Sequence, residues 1–341
     1  MFYECPKCKR RWEYPLAECP YCLVPLEKAE GKAAKVVGAV KVSIPTLLHP
    51  NVPYYVLVLE DERGNMWGYK SEKEYKVGDV FAIEAAKDPD AVGIWRVKYD
   101  LNEALVKVLE LIGGIDIDSG SKVVVLPTMA AASHAYFRDN TSPEFLSAIL
   151  RLLLDRGAKA ENIVVAGQSF DDIPVVAMAQ KAGLIAAGAR FNVNALDLAT
   201  AEFVKNGYFE IAKHVAEADL VLNLAIGKMG KAVASENLFR ALKKENYLGQ
   251  KYLSSDAEIL AQLEPLLKNM MVLAEAESVQ RSNKLTTFMG LVLSGRSSRN
   301  VDRVFNEVAK SFKLPETIKD TVLPEVAGRT IKEVQYQAEI Y

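Results

Sequence analysis

Four cysteines near the start of the chain constrain its fold more than any other sequence feature. They form two Cys-x2-Cys pairs separated by ten residues, at Cys5, Cys8, Cys19 and Cys22. Each pair can direct two thiolates at one ion, and two such knuckles joined by a hairpin complete a tetrahedral site of four sulfurs. Because the protein supplies every ligand, no position is left for a reactive water. We therefore predict a structural Zn²⁺, with rubredoxin-like iron as the alternative.

The predicted zinc ribbon spans residues 1–30, which is too short to enclose a hydrophobic core. Metal binding should therefore supply most of its folding free energy. A basic cluster accompanies the first knuckle and consists of Lys7, Lys9, Arg10 and Arg11. It is either a solvated surface or a contact for the phosphates of a ligand or partner.

Length and charge narrow the class of protein. A chain of 341 residues suits two or three domains, and the formal net charge of -2 offers no global field that would recruit nucleic acid. The chain starts without the basic and apolar regions of a signal peptide and has no uncharged apolar run of about 18 residues. All four cysteines lie in the first 22 residues, unlike the spread disulfides of secreted proteins. We expect a cytoplasmic protein that does not enter a membrane.

Residues 31–86 have the pattern of a small OB-like β-barrel. Short strands are predicted at 36–44, 54–60, 66–69 and 81–84, with hairpin turns at Gly64 and Gly78. The period of two places Tyr55, Leu57 and Leu59 on one face. OB barrels bind single-stranded nucleic acid through exposed aromatic residues, but aromatics at this spacing are more often core, and the near-neutral charge disfavours that function.

The remainder predicts a linker at 87–100 and an α/β domain at 101–341. Apolar strands at 122–126, 162–166 and 219–224 alternate with amphipathic helices, which favours a mainly parallel sheet covered on both faces. The segment from Ala257 to about Glu277 has the pattern of a long helix, and Thr286–Leu293 that of a strand. The predicted fold class is thus multidomain: an N-terminal zinc ribbon plus a small OB-like β-barrel, then an α/β domain.

Ligands of such sheets bind beyond the carboxyl ends of the strands. The polar residues predicted to lie there are His134, Asp171 and Lys228 as catalytic candidates, and Ser169, Asp172, Lys231, Arg296 and Arg299 as ligand-binding candidates, with Arg138 nearby. Plainer interpretations stay open: a hydrogen-bonding loop histidine, an aspartate capping the helix ahead of Pro174, and a solvated lysine. Dinucleotide-binding, P-loop and nucleophile-elbow motifs are missing from the sequence.

The first part of the chain resembles a known family. The paired knuckles, the strand entry HPNVPYYVLVLE, the turn at Gly64 and the Val77–Asp79 turn are similar to the zinc-ribbon/OB-fold proteins of domain of unknown function 35. The resemblance covers about residues 1–85. It implies an association with acyl-CoA thioesters and a thiolase-like or other acyl-CoA enzyme as partner, so CoA or acyl-CoA is the implied ligand.

The second part resembles the family of domain of unknown function 362, whose architecture is similar to that of lactate racemase. The matching segments include KVVVLPTM, ENIVVAGQS, EADLVLNLAIGKMG and ENLFRAL, within about residues 100–338. Three motifs depart from the family pattern. The family's Lys-Pro-Asn is replaced by Leu126-Pro127-Thr128. In the segment that corresponds to Pro-x-x-Lys-Thr-His, the lysine is present as Lys228 but the histidine is missing. The family's Lys-Asn-Leu-Phe-Gly becomes Glu236–Arg240.

Two classes of function therefore remain. The first is a zinc protein that binds or acts on a small anionic or acyl-CoA-type substrate at the strand ends of the α/β domain. The second is a non-catalytic scaffold whose ribbon and OB-like module dock a partner enzyme. Nucleic-acid binding ranks third. The retained polar cluster favours the first class and the altered motifs favour the second, so the sequence leaves open whether the protein is an enzyme.

Overall fold

The computed structural model describes residues 2–12, 16, 18–29, 34–46, 52–81, 88–98, 100–267, 269–281 and 283–335. The chain divides into two compact units, Met1–Ala85 and Ala86–Tyr341. Each unit is described by itself.

The first unit begins with a three-stranded antiparallel sheet. Its strands are β1 (Phe2–Glu4), β2 (Arg11–Trp12) and β3 (Glu27–Ala29), in the order β2-β1-β3. The first pair of cysteines lies in the turn between β1 and β2, and the second pair precedes β3. This is the hairpin arrangement that the cysteine spacing predicts.

A second antiparallel sheet follows. Its strands, in the order β6-β5-β4-β7, are β4 (Ala34–Val42), β5 (Tyr54–Glu60), β6 (Met66–Ser71) and β7 (Val80–Phe81). Leu57 and Leu59 are fully buried, while Val56 and Val58, which alternate with them, are exposed. The predicted period of two is therefore confirmed. In the described part of this unit the four strands form an open sheet, and the OB-like barrel stays a prediction. Residues 82–84 of the predicted fourth strand lie outside the described residues.

The second unit is built on a mixed sheet of eight strands. In the order β11-β10-β9-β14-β15-β16-β8-β17, these are β8 (Val92–Arg96), β9 (Val123–Pro127), β10 (Ile163–Gly167), β11 (Asn194–Asp197), β14 (Leu220–Lys228), β15 (Met270–Gln280), β16 (Thr286–Gly295) and β17 (Val326–Gly328); a separate hairpin comprises β12 (Phe203–Asn206) and β13 (Phe209–Ala212). Only β16 among these eight runs antiparallel to its neighbours. The predicted α/β class with a mainly parallel sheet is confirmed.

Helices cover both faces of this sheet. They are α1 (Leu101–Glu110), α2 (Pro143–Asp155), α3 (Val175–Lys181), α4 (Leu184–Ala189), α5 (Lys213–Ala216), α6 (Val233–Phe239), α7 (Lys244–Lys251), α8 (Asp256–Leu263), α9 (Ser298–Val308) and α10 (Ile331–Val334). In β9, Val123 and Val125 pack into the core formed with α1 to α4. Val124 and Leu126 pack into the core formed with α6 to α9. Burial on both faces explains why these strands are continuous apolar runs.

Two predictions for this unit are wrong in part. Val92–Arg96, within the predicted linker, is a strand that pairs with β16. The predicted helix from Ala257 to Glu277 is the short helix α8 followed by strand β15. A continuous apolar run cannot be assigned by periodicity alone, and its Met, Leu, Ala and Glu residues favour helix locally. Pairing with β14 and β16 on either side overrides that local preference.

The connections of the sheet reverse direction between β9 and β14. From β9 the chain moves outwards through β10 to β11, and from β14 it moves the other way to β15. Such a reversal opens a crevice at the carboxyl ends of the two strands, where ligands of open α/β sheets bind.

Among the described residues, no helix is both long enough and apolar enough to span a membrane.

Candidate functional site

The four cysteine sulfurs of the first unit converge on one point. Their Sγ atoms all lie within 4.8 Å of one another. Cys8 Sγ and Cys19 Sγ are 3.7 Å apart, far beyond disulfide bonding distance. Ligands at about 2.3 Å from a tetrahedral Zn²⁺ are separated from each other by about 3.8 Å. The cluster therefore fits one metal ion held by four thiolates, consistent with zinc.

The two knuckles have the same backbone geometry. In the first, Lys9 N donates to Cys5 O and Cys5 N donates to Arg10 O; in the second, Leu23 N donates to Cys19 O and Cys19 N donates to Val24 O, each at 2.9 Å. Lys9 and Leu23 both adopt left-handed backbone angles, with φ of 60° and 51°. The paired turns aim both thiol pairs at the same centre.

The thiol groups differ in acidity before any cation is considered. Burial raises the pKa of Cys5, but N–H donors from Cys8 and Lys7 outweigh it and lower this pKa to about 7. Burial and the neighbouring thiols raise the pKa of Cys22 to about 12. Four thiolates can coexist here only beside a cation, which is what a structural metal supplies.

Two arginines of the predicted basic cluster contact other residues of the first unit. The buried side chain of Arg11 reaches Glu4 at 2.8 Å and Asp61 at 3.0 Å, and its backbone N–H donates to Asn65 Oδ1 at 3.2 Å. Arg10 stacks over the Tyr21 ring at 3.9 Å. Arg11 thus ties the ribbon to the turn between β5 and β6, whereas Lys7, Lys9 and Arg10 are exposed.

In the second unit, the crevice between β9 and β14 contains a linked polar group. Lys228 ends β14, and its Nζ lies 3.3 Å from Asp139 Oδ1 in the loop that follows β9. Gln280, which ends β15 and pairs with Lys228 across the two strands, donates to the same oxygen at 3.2 Å. Ser133 Oγ reaches the other carboxylate oxygen at 3.2 Å. Three segments distant in sequence thus meet at one carboxylate.

Buried anchors hold the loop of residues 128–142 in place. The Asn140 side chain is fully buried and accepts from the backbone N–H groups of Ala130 and Ala131. Arg138 pairs with Glu275, a buried carboxylate of β15, and Glu275 Oε2 also accepts from Ser142 N at 3.0 Å. The loop is therefore held in place by Arg138 and Asn140, which lie on either side of Asp139.

Burial and charge act in opposite directions on this pair. Burial lowers the pKa of Lys228, and the Asp139 carboxylate offsets this only in part. Burial alone would raise the pKa of Asp139, but hydrogen bonding from Gln280 and the Lys228 ammonium outweigh it, so this pKa lies below its ordinary value. Asp139 is therefore more acidic than an ordinary aspartate, and Lys228 gives up its proton more readily than a solvated lysine.

The other candidates at this edge have mainly local partners. His134 is exposed, and its Nδ1 accepts from Tyr136 N at 3.1 Å. Ser169 Oγ accepts from Asp171 N at 3.1 Å within one turn. Asp171 and Asp172 are exposed, and neither caps α3, because the residue at the cap position is Pro174 and no side chain makes the capping bond.

Lys231, just after β14, is exposed, and no carboxylate of the described residues lies within ion-pair distance of it. Nearby Glu236 also reaches solvent, yet the surrounding protein raises its pKa.

Arg296 and Arg299 lie at the opposite edge of the sheet. Since β16 is antiparallel, Gly295 pairs with Val272 near the amino end of β15. Arg299 Nε lies 3.5 Å from Glu264 Oε2, and Glu264 also accepts from Ser298 N at the amino end of α9. The predicted grouping of these arginines with Lys228 is wrong, because the sequence does not reveal the direction of β16.

Sequence reasoning missed the residues that complete the site: Asp139, Glu275, Gln280 and Asn237. Asn237 is buried, and its Nδ2 donates to Thr128 Oγ1, Asn223 Oδ1 and Leu224 O at 2.9 to 3.1 Å. It thereby joins α6 to the residue that follows β9 and to the middle of β14. Its place in the segment ENLFRAL was the available signal, whereas Glu275 was hidden by the incorrect helix assignment, and Gln280 lies just beyond that predicted helix.

Asp302 of α9 predicts a pH dependence of stability. It is buried and accepts from Ala234 N at 3.0 Å and Ser235 N at 2.8 Å, and burial raises its pKa from 3.8 to about 7 despite these donors. Between these two values the folded protein binds the proton more tightly than the unfolded chain does. The free energy of unfolding attributable to Asp302 therefore falls as pH rises through this window.

Replacement of Asp302 by Asn should remove this slope, because an amide does not titrate between pH 4 and 8. Urea unfolding of the wild type and of Asp302→Asn at several pH values from 4 to 8 measures the difference. Parallel curves for the two proteins would contradict the prediction.

Comparison with known proteins shows which family part of the second unit is similar to. No curated protein matches the chain. A solved structure, the Ltp2-ChsH2(DUF35) aldolase, is 19% identical and covers 26% of this chain and 75% of its own, with a TM-score of 0.21. Residues 123–233 match the family described as Domain of unknown function (DUF362). That segment runs from the start of β9 to the start of α6, so the resemblance of the α/β region to this family is confirmed where the crevice and its Lys228–Asp139 pair lie.

Proposed function

We propose that the protein binds a small anionic ligand in the crevice between β9 and β14 and carries a structural Zn²⁺ in its four-cysteine cluster. CoA or an acyl-CoA thioester is the ligand class to test first, as the sequence resemblance implies. The observation that carries the first part is the junction of Lys228 with Asp139 at the reversal of the sheet. A structural role is proposed because four converging thiolates leave no open position for chemistry.

Several features support an anion in the crevice. Lys228 is largely buried, with 13% of its side chain exposed, and it directs two of its possible contacts at Asp139. An ammonium has three donors, so one remains for a ligand. Lys231 adds a second positive charge after the same strand. Partial burial strengthens the attraction between an ammonium and an incoming carboxylate or phosphate.

The same geometry suits proton transfer beside the ligand. Asp139 lies within hydrogen-bond reach of Lys228, and burial lowers the pKa of that lysine. A lysine that releases its proton more easily is the form a general base requires. Binding is the proposal; a reaction would add to it.

Replacement of Lys228 by Met should weaken binding of acetyl-CoA, CoA or a simple carboxylate by at least about tenfold, because a charge-assisted hydrogen bond is worth about 1.5–3 kcal/mol. Isothermal calorimetry and the thermal shift caused by each ligand measure the effect. Arg296→Ala is the matched control, since it removes a cation from the opposite edge, and it should bind as the wild type does. Equal loss in both variants, or no binding by the wild type, would overturn the proposal.

A non-catalytic scaffold gives a different result. It would show no ligand response and would co-purify with a partner that is lost when residues 1–85 are deleted. Native mass spectrometry of the purified protein distinguishes the two outcomes, since it reports metal, ligand and partner together.

A further inference from the structure

The loop beside the Lys228–Asp139 pair exposes two aromatic rings. Tyr136 is 73% exposed and Phe137 is 57% exposed, with ring centroids 5.8 Å apart in an edge-to-face arrangement. They occupy a single short turn between His134 and Arg138. Large rings are seldom left in water in this way, and clustered exposed apolar residues mark binding surfaces.

This aromatic pair is physically connected to the polar site. Gln280 Nε2 donates to Phe137 O at 2.8 Å and to Asp139 Oδ1 at 3.2 Å. One amide group therefore holds both the backbone of an exposed ring and the carboxylate that contacts Lys228. The rings cannot shift far without disturbing that contact.

A third exposed ring lies on the same side of the sheet. Phe288 of β16 is 69% exposed and pairs with Ser278, two residues before Gln280 on β15. Directly paired residues and residues two apart along a strand share a face. Phe288 therefore extends the face that carries Gln280 and its cross-strand partner Lys228. Tyr136, Phe137 and Phe288 are called the aromatic rim below.

We infer that the anion bound at Lys228 carries an apolar tail that lies against the aromatic rim. This inference rests on the proposed function and names the class of ligand: amphipathic organic acids or thioesters with an aliphatic chain, in preference to inorganic anions or short polar acids. The ammonium of Lys228 would bind the anionic end of the ligand, and the aromatic rim would supply an apolar surface for its chain. The ligand would remove from water both its own chain and rings that are otherwise exposed.

The inference predicts that affinity rises with chain length. Binding of acetate, butyrate, hexanoate and octanoate should strengthen by up to about fourfold per methylene group that contacts the rim. The dissociation constant of each acid is measured by calorimetry with the full chain. In Tyr136→Ser/Phe137→Ser/Phe288→Ser the dependence on chain length should flatten while acetate affinity stays the same.

The variants separate this inference from the proposed function. Lys228→Met should weaken all four acids by a similar factor and keep the dependence on chain length. Tyr252→Ser is the matched control, because Tyr252 is 91% exposed on another element, and it should behave as the wild type. Wild-type affinities that do not vary with chain length, but are lost in Lys228→Met, would overturn the rim and leave anion binding intact. Loss of chain-length dependence in Tyr252→Ser, or no binding of any acid by the wild type, would also overturn it.

Discussion

Serine in place of Cys19 is expected to abolish binding of the proposed Zn²⁺ and to unfold the ribbon. Cys19 is fully buried among the other thiols, so no water can replace its sulfur without opening the cluster. A structural zinc site of this kind contributes about 10–16 kcal/mol of apparent binding free energy, which the ribbon has no core to replace. Native mass spectrometry should show one zinc per wild-type chain and none in the variant. Tyr21→Ser, an exposed non-ligand in the same knuckle, should keep its metal.

The effect should spread beyond the ribbon. Arg11 follows the first knuckle directly and connects Glu4 with Asp61, whose side chains are 13% and 4% exposed. If the ribbon unfolds, the buried carboxylate of Asp61 loses its ion pair with Arg11, a loss that destabilises the sheet. Hydrogen exchange of the amides in residues 61–71 should therefore accelerate in Cys19→Ser and not in Tyr21→Ser. Unchanged exchange there would mean that the ribbon and the sheet fold independently.

Replacement of Asn237 by Leu should destabilise the second unit by about 2–4 kcal/mol. The change keeps the number and branching of the side-chain heavy atoms but removes the amide that joins Thr128 Oγ1, Asn223 Oδ1 and Leu224 O. Leu224 O keeps Thr128 N as a donor. Asn223 Oδ1 loses the Asn237 amide, a buried polar group that loses its partner costs about 1–3 kcal/mol, and the bulkier leucine adds strain. Chemical denaturation measures the loss. Asn246→Leu is the control, because Asn246 bonds backbone at a partly exposed surface, and it should cost about 1 kcal/mol or less.

The same substitution also tests how the crevice is supported. Asn237 joins Thr128, the first residue of the loop of residues 128–142, to the middle of β14, the strand that ends at Lys228. Ligand affinity should therefore fall in Asn237→Leu even under conditions where the protein is fully folded. A destabilised variant that binds normally would show that the loop is positioned by Glu275 and Asn140 alone.

Features determined by neighbouring residues could be predicted from the sequence. The cysteine spacing identified the metal cluster because each knuckle is a local turn, and the alternation in Tyr54–Glu60 identified a half-buried strand for the same reason. Strands β9, β10 and β14 were recognised because short apolar runs bounded by turn residues have few other interpretations.

Features that depend on pairing between distant segments could not be predicted. Nothing near Met270 indicates that its run is a central strand, and nothing near Gly295 reveals that β16 runs against its neighbours. The candidate site was consequently divided: Lys228 was found, its partner Asp139 was missed, and Arg296 and Arg299 were assigned to the wrong edge. Partners in a site of this kind lie many residues apart, 89 in the case of Asp139 and Lys228.

Glu264 limits which ligands can bind at the amino end of α9, at the edge of the sheet opposite Lys228. Its carboxylate accepts from Ser298 N at the amino end of α9 and pairs with Arg299, and so it already supplies the negative charge that a helix amino end attracts. A free phosphate would have to displace a carboxylate tethered to the same chain, whose effective concentration is of millimolar order or above. A free anion therefore has to compete with Glu264 at the amino end of α9, which disfavours anion binding at this edge of the sheet.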